Sequence, residues 1–149
     1  MKKKNRKKVL IQMDPIEELN VKSDSSLLLV KEAIHRDYDV MYSNPADLNI
    51  IDNEVIVEVK QLQLKNNKIN FISSSKPRME ICEFDIILVR QDPPFNMAYI
   101  TNTYLLDLET FKSSKNFPFF INNPTGIRSF TEKIFPLIFK DLIPKTCVT

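Results

Sequence analysis

Short apolar runs, each stopped by proline or asparagine, set the rhythm of this chain. Val9 to Met13 is nearly all apolar and ends at Asp14-Pro15, which predicts a buried strand closed by a turn. Ser23-Asp24-Ser25-Ser26 then offers several N-cap candidates, after which Leu27, Leu28, Val30, Lys31, Ile34 and His35 recur at helical spacing. Tyr38 to Tyr42 predicts a second strand, followed by a turn or short helix at Asn44-Pro45-Ala46-Asp47.

The pattern changes between Asn49 and Asn70. Glu54 to Val59 alternates apolar and polar, Gln61 to Leu64 does so again, and Lys68 to Ile72 is a further run. With Asp52-Asn53 and Asn66-Asn67 as turns, this period of two predicts antiparallel hairpins that elaborate an edge of the sheet. Ser73 to Pro77 reads as a polar linker.

Phe84 to Arg90 is the strongest strand signal, continuous and rich in branched residues, as expected of a strand covered on both faces. It must stop at Gln91-Asp92-Pro93-Pro94, because proline lacks a ladder donor and restricts the residue before it. Phe95 to Lys112 predicts a long amphipathic helix with Tyr99, Thr103, Leu106 and Thr110 on one stripe. Phe117 to Asn122 predicts another strand, Asn123-Pro124 a second proline stop, and Thr131 to Asp141 a last helix. Alternating strands and helices predict an α/β fold: a mostly parallel open sheet with helices on both faces and a β-hairpin elaboration. Three strands then end in proline-bearing loops, at Asp14-Pro15, Asp92-Pro93-Pro94 and Asn122-Asn123-Pro124. In an open parallel sheet ligands bind beyond the carboxyl ends of strands, so these loops are expected to share a polar, stiff edge.

Composition narrows the chemistry. The 149 residues suit one domain, and 43% hydrophobic with 27% charged residues is the balance of a globular protein. No run of about 18 apolar residues exists to cross a membrane, and Val9 to Ile11 is too short for a signal-peptide core, so a cytoplasmic location is expected. Cys82 and Cys147 have no metal-ligand spacing, and the single histidine, His35, brings no partner for a zinc or Cys-His site. The single glycine, Gly126, cannot build a glycine-rich phosphate cradle. Lys2, Lys3, Lys4, Arg6, Lys7 and Lys8 concentrate positive charge at one end, read as a basic, disordered arm over residues 1–8 ahead of a domain over 9–149. Nucleic-acid binding by that arm is disfavoured, since no aromatic residue is interleaved for base stacking.

Four blocks together resemble bacterial glutathione synthetase. They are Met13-Asp14-Pro15-Ile16, then Asp24-Ser25-Ser26 opening a helix, then Arg90-Gln91-Asp92-Pro93-Pro94-Phe95 with Tyr99-Ile100 and Thr103-Tyr104, and last Asn122-Asn123-Pro124 with Glu132-Lys133-Ile134-Phe135. The resemblance covers nearly residues 9 to 146 and implies a Rossmann-like domain that precedes an ATP-grasp domain, with the active site between the two. The family joins γ-glutamylcysteine to glycine with ATP and magnesium. By this resemblance Asp14, Ser25, Ser26, Arg90, Asp92 and Asn122 are substrate-binding candidates. Backbone N–H groups at Ser25 and Ser26 would meet one carboxylate and the Arg90 fork another. Helix capping remains the alternative for the serines, and an ion pair with Asp14 or Asp92 the alternative for Arg90.

The resemblance further implies that the nucleotide site and magnesium carboxylates belong to a part of the family beyond the position of Thr149. No catalytic residue, cofactor or metal is therefore expected on this chain alone. The expected partners are γ-glutamylcysteine or glutathione, bound weakly, a separately encoded ATP-grasp chain, and a second copy of this chain. A non-enzymatic gene remnant or interaction module is the alternative function. Two departures stand out: the family usually carries Gly where Asp37 stands, and an apolar residue where Cys147 stands.

Overall fold

The computed structural model describes residues 6–20, 23–111, 118–131 and 134–148. The strands are β1 (Lys8–Met13), β2 (Asp39–Ser43), β3 (Leu48–Ile51), β4 (Glu54–Glu58), β5 (Lys60–Lys65), β6 (Lys68–Phe71), β7 (Arg78–Glu80), β8 (Ile86–Arg90) and β9 (Phe119–Ile121). The helices are α1 (Ser25–His35), α2 (Met97–Phe111) and α3 (Pro124–Ser129). One six-stranded sheet runs β6-β5-β2-β1-β8-β9, and β3-β4-β7 form a second, antiparallel sheet. The pairings β2–β1, β1–β8 and β8–β9 are parallel, whereas β5 and β6 extend the edge antiparallel.

The two near-continuous apolar runs are central neighbours, with Leu10 opposite Ile87 and Ile11 opposite Leu88. Each is covered on both faces. Val9, Ile11, Met13 and Leu88 pack with Leu27 and Val30 of α1, while Leu10, Ile87 and Val89 pack with Leu106 of α2 and with Val55 and Val57 of the small sheet. The predicted stripe of α2 is buried at Tyr99, Thr103 and Leu106. The Asp-Asn and Asn-Asn pairs make the expected tight hairpins: Asp52, Asn53, Asn66 and Asn67 all have positive φ, as a two-residue turn between twisted strands requires.

The close of α1 puts Asp37 in an uncommon backbone conformation. Asp37 has φ 63°, its N–H donates to Ile34 O at 3.0 Å, and Tyr38 N–H donates to Ala33 O at 3.1 Å. This is a Schellman cap with aspartate in the left-handed position that glycine fills without a Cβ penalty. Asp37 is also paired with Arg6 at 2.6 Å, but both side chains are more than half exposed, so that pair adds little. Asp37→Gly is expected to stabilise the domain by roughly 0.5–1 kcal/mol, read as a rise in urea midpoint at unchanged slope. A fall in midpoint would show that the Arg6 pair outweighs the backbone.

Other expectations need correction. Residues 6 to 8 do not belong to a disordered arm: Lys8 opens β1, Arg6 reaches Asp37 and Asp39, Lys7 pairs with Asp85 at 2.6 Å, and Lys8 pairs with Glu83. Acidic residues at the amino ends of β2 and β8 hold these cations in place. The Lys7 ammonium, and after it the Lys8 backbone N–H that Asp85 accepts at 2.8 Å, hold the Asp85 carboxyl below the usual range. The rest of the arm, residues 1 to 5, lies outside the described residues. The strand expected from Phe84 begins at Ile86, because Ile81–Glu83 form a 3-10 turn and Phe84 leads out of it.

The helix expected over Thr131 to Asp141 is a 3-10 turn at Phe135–Ile138. Pro136 supplies no N–H and disfavours a helical residue before it. Glu132 and Lys133, part of that expectation, lie outside the described residues. Asn123-Pro124 does more than stop a strand. Asn123 Oδ1 accepts Gly126 N–H at 2.9 Å and Pro124 takes the first helical position, so the pair opens α3.

Candidate functional site at the carboxyl edge of the sheet

The loops after β1, β8 and β9 emerge on one edge, as parallel pairing of these three strands demands. Arg90 is the last residue of β8 and stands opposite Met13. Strand alternation places it on the α1 face with Leu88, while Ile87 and Val89 face α2. There its Nε donates to Ser26 Oγ at 3.1 Å and its Nη2 donates to Ser25 Oγ at 2.8 Å. Neither bond uses Nη1. The half-buried guanidinium is thus oriented by two neutral hydroxyls.

One of the two serine N–H groups is already taken. Asp24 is the N-cap of α1, and its Oδ1 takes the Ser26 N–H at 2.7 Å and the Leu27 N–H at 3.1 Å. The Ser26 N–H is therefore already committed, and both serines lend hydroxyl acceptors to Arg90. The alternative pairing also fails: among the described residues Arg90 forms no ion pair with Asp14 or Asp92. Asp14 Oδ2 instead accepts the Asp92 backbone N–H at 2.7 Å, tying the β8 loop to the end of β1. The Asp92 side chain is exposed, and the Pro93-Pro94 bond beside it is cis.

Asn122 lies away from this cluster. It follows β9 and lines a separate cavity of about 790 Å³ with Pro93, Phe95, Tyr99, Ile127 and Phe130. Tyr99 links the two regions. Its hydroxyl donates to Gln91 O at 3.3 Å, and burial, followed by the negative charges of Asp14 and Asp92, pushes its pKa up while Arg90 opposes. The phenol therefore stays a hydrogen-bond donor at neutral pH. Gln91 and Tyr99 were not singled out by their sequence, although both stand inside the Arg90-to-Tyr104 block.

A second network props the edge from beneath. Asp107 of α2, 1% exposed, pairs with Arg128 of α3 and accepts Thr125 Oγ1 at 2.8 Å. The Arg128 guanidinium also lies 4.1 Å from the Tyr104 ring centre. An acidic residue within the buried stripe of α2 was the available signal, since a buried carboxylate needs a partner.

Gly126 sits inside α3 with an ordinary backbone angle, so it builds no left-handed phosphate turn. Among the described residues no group of three or more His, Cys, Asp or Glu is placed to hold a metal ion. Cys82 is half-buried near Glu80, and burial pushes its thiol up to about 11, far from a reactive thiolate. No helix among the described residues is long and apolar enough to cross a membrane.

Comparison with known proteins places this edge in context. Residues 8–128 match the family model described as prokaryotic glutathione synthetase, N-terminal domain. The chain is 34% identical over 143 residues to the glutathione synthetase of Rhodopseudomonas palustris, covering 95% of this chain and 44% of that protein. It is 38% identical over 144 residues to that of Agrobacterium fabrum, covering 96% and 44%. With that of Buchnera aphidicola it shares 38% over 141 residues, covering 93% and 42%. The chain thus spans less than half the length of the curated relatives it matches.

Proposed function

Since the chain belongs to the family of prokaryotic glutathione synthetase N-terminal domains, we propose that it supplies the substrate-holding edge of a glutathione-forming ligase. In this reading Arg90 anchors a carboxylate of γ-glutamylcysteine, Asp14 fixes the Asp92-Pro93-Pro94 loop beside it, and a nucleotide-binding half carried elsewhere delivers ATP and magnesium. The observation that carries the reading is the Arg90 guanidinium, oriented by two serine hydroxyls at the carboxyl edge with no carboxylate paired to it among the described residues. A charged donor held in that way can donate to a ligand carboxylate without first breaking an ion pair among the described residues.

The apolar stretch after α3 supports a docked second half. Ile134, Ile138, Phe139 and Leu142 are exposed, and Leu142 is 82% accessible. A patch of this kind suits a macromolecular contact. The reading places the domain in the cytoplasm, where free cysteines such as Cys82 and Cys147 stay reduced.

The test mixes this chain with the remaining part of the Agrobacterium fabrum relative, made separately. ADP release that depends on γ-glutamylcysteine and glycine is expected from the mixture and from neither piece alone. A mixture that binds as a complex yet never turns over would remove the ligase reading.

A further inference from the structure

The outward face of α2 carries no charge. Its exposed positions are Met97, Ala98, Thr101, Tyr104, Leu108 and Phe111, while the two charged residues of the helix, Asp107 and Glu109, are 1% and 3% exposed. A surface helix ordinarily turns its charged side to water, and a helix that is apolar all round is one covered all round. The sheet layer covers the inner side of α2 at Leu106. The outer side stands open, with Met97, Tyr104, Leu108 and Phe111 between 39% and 76% accessible.

The spacing of this stripe states what fits it. Met97, Thr101, Tyr104, Leu108 and Phe111 recur at intervals of four, three, four and three, the seam of a helix that packs along another helix. About Tyr104 the stripe reads nearly alike from both ends, with Met97 and Phe111 each seven residues away. A twofold axis near Tyr104 sets Met97 against Phe111 of a second copy and Thr101 against Leu108, so that a flexible or small side chain meets a larger one. Such a contact brings like against like, which an uncharged stripe allows and a charged one would oppose. Arg128 lies 4.1 Å from the centre of the Tyr104 ring and steadies the residue nearest the axis.

Area and position agree with this. An aromatic side chain buries about 150–250 Å². With Met97 and Leu108 added, the stripe offers on the order of 500 Å² per copy, which for two copies reaches the roughly 1,000 Å² of a specific interface. Because α2 is already folded on its sheet, pairing orders no new helix. As the crossover between parallel β8 and β9, α2 runs back from the carboxyl edge. Its 15 residues span about 22 Å, so the stripe lies along the flank of the domain and not on the Arg90 edge.

We propose that this stripe is a homodimer seam, in which α2 packs antiparallel against α2 of a second copy of this chain across a twofold axis near Tyr104. The inference does not depend on the ligase reading. Sedimentation of the whole chain across micromolar concentrations tests it. A dimer is expected, with a melting temperature that rises with protein concentration. Leu108→Glu, at an exposed position, is expected to weaken dimerisation by roughly tenfold or more while the dilute chain keeps the parent's melting transition.

Met97→Glu and Phe111→Lys should each do the same, and the two together should restore the dimer, because the axis sets these positions against each other. If Leu108→Glu fails to fold, this charge exchange decides alone. A parent chain that stays monomeric would overturn the proposal, and so would a dimer indifferent to these changes, which places the contact on another surface. Single variants that weaken the dimer with no recovery in the double variant would rule out the antiparallel register. A Leu108→Glu chain that still dimerises but no longer binds the remaining part of the Agrobacterium fabrum relative would give the stripe to that half instead.

Discussion

Ile87→Asp unfolds the domain. Ile87 is fully buried at the middle of β8, opposite Leu10 on one side and Phe120 on the other. The layer packed on it is built of apolar side chains, Leu106, Val55, Val57 and Phe84 among them. An unpaired buried carboxylate costs several kcal/mol, set against a total stability of about 5–15 kcal/mol. Loss of the cooperative far-ultraviolet melting transition is expected at neutral pH. A native-like transition would show that β8 is not the covered centre of the sheet.

Asp107→Ala is expected to cost about 3–5 kcal/mol, the usual price of leaving one member of a buried ion pair alone. Arg128 would keep its contact with Tyr104 and lose its carboxylate, and Thr125 would lose its acceptor. The damage should fall on the docking of α3 against α2, which shapes the wall of the cavity near Asn122. Replacing both partners, as Asp107→Leu with Arg128→Met, should recover most of the loss, because two matched apolar side chains leave no charge stranded. Urea unfolding of the single and double variants checks this. A single variant within about 0.5 kcal/mol of the parent would show that the pair contributes little.

Much of the frame was legible because it depends on local signals. Continuous runs at Val9 to Met13 and Phe84 to Arg90 announce strands covered on both faces. Asp52-Asn53 and Asn66-Asn67 announce tight turns, since Asn and Asp tolerate positive φ. What escaped depends on distant partners or on competing signals. β7 has three residues behind a polar linker and owes its order to the β4 ladder, where Glu80 stands opposite Ile56. The expected last helix fails at Pro136, whose effect outweighs the apolar residues around it.

The candidate site follows the same rule. The family resemblance points to Arg90, Ser25 and Ser26 as separate candidates, but Arg90 lies 64 and 65 residues along the chain from its serine partners. No local pattern states that they meet. Nor could sequence decide that Asp24, and not a serine, caps α1, because all of them are good N-cap residues. Asn122 shares the edge but not the cluster: it follows the edge strand β9, while Arg90 at the end of β8 reaches across to α1.

The most direct measurement compares Arg90→Ala with the parent chain in the recombined ligase, alongside the melting of the domain by itself. A fall of roughly tenfold or more in kcat/KM for γ-glutamylcysteine is expected, about 1.4 kcal/mol per decade of lost transition-state binding. Melting should change by no more than about 1 kcal/mol, because Arg90 loses only hydrogen bonds to two neutral hydroxyls. Unchanged kcat/KM together with a marked loss of stability would contradict the account, leaving Arg90 as a brace between β8 and α1 and not a substrate anchor.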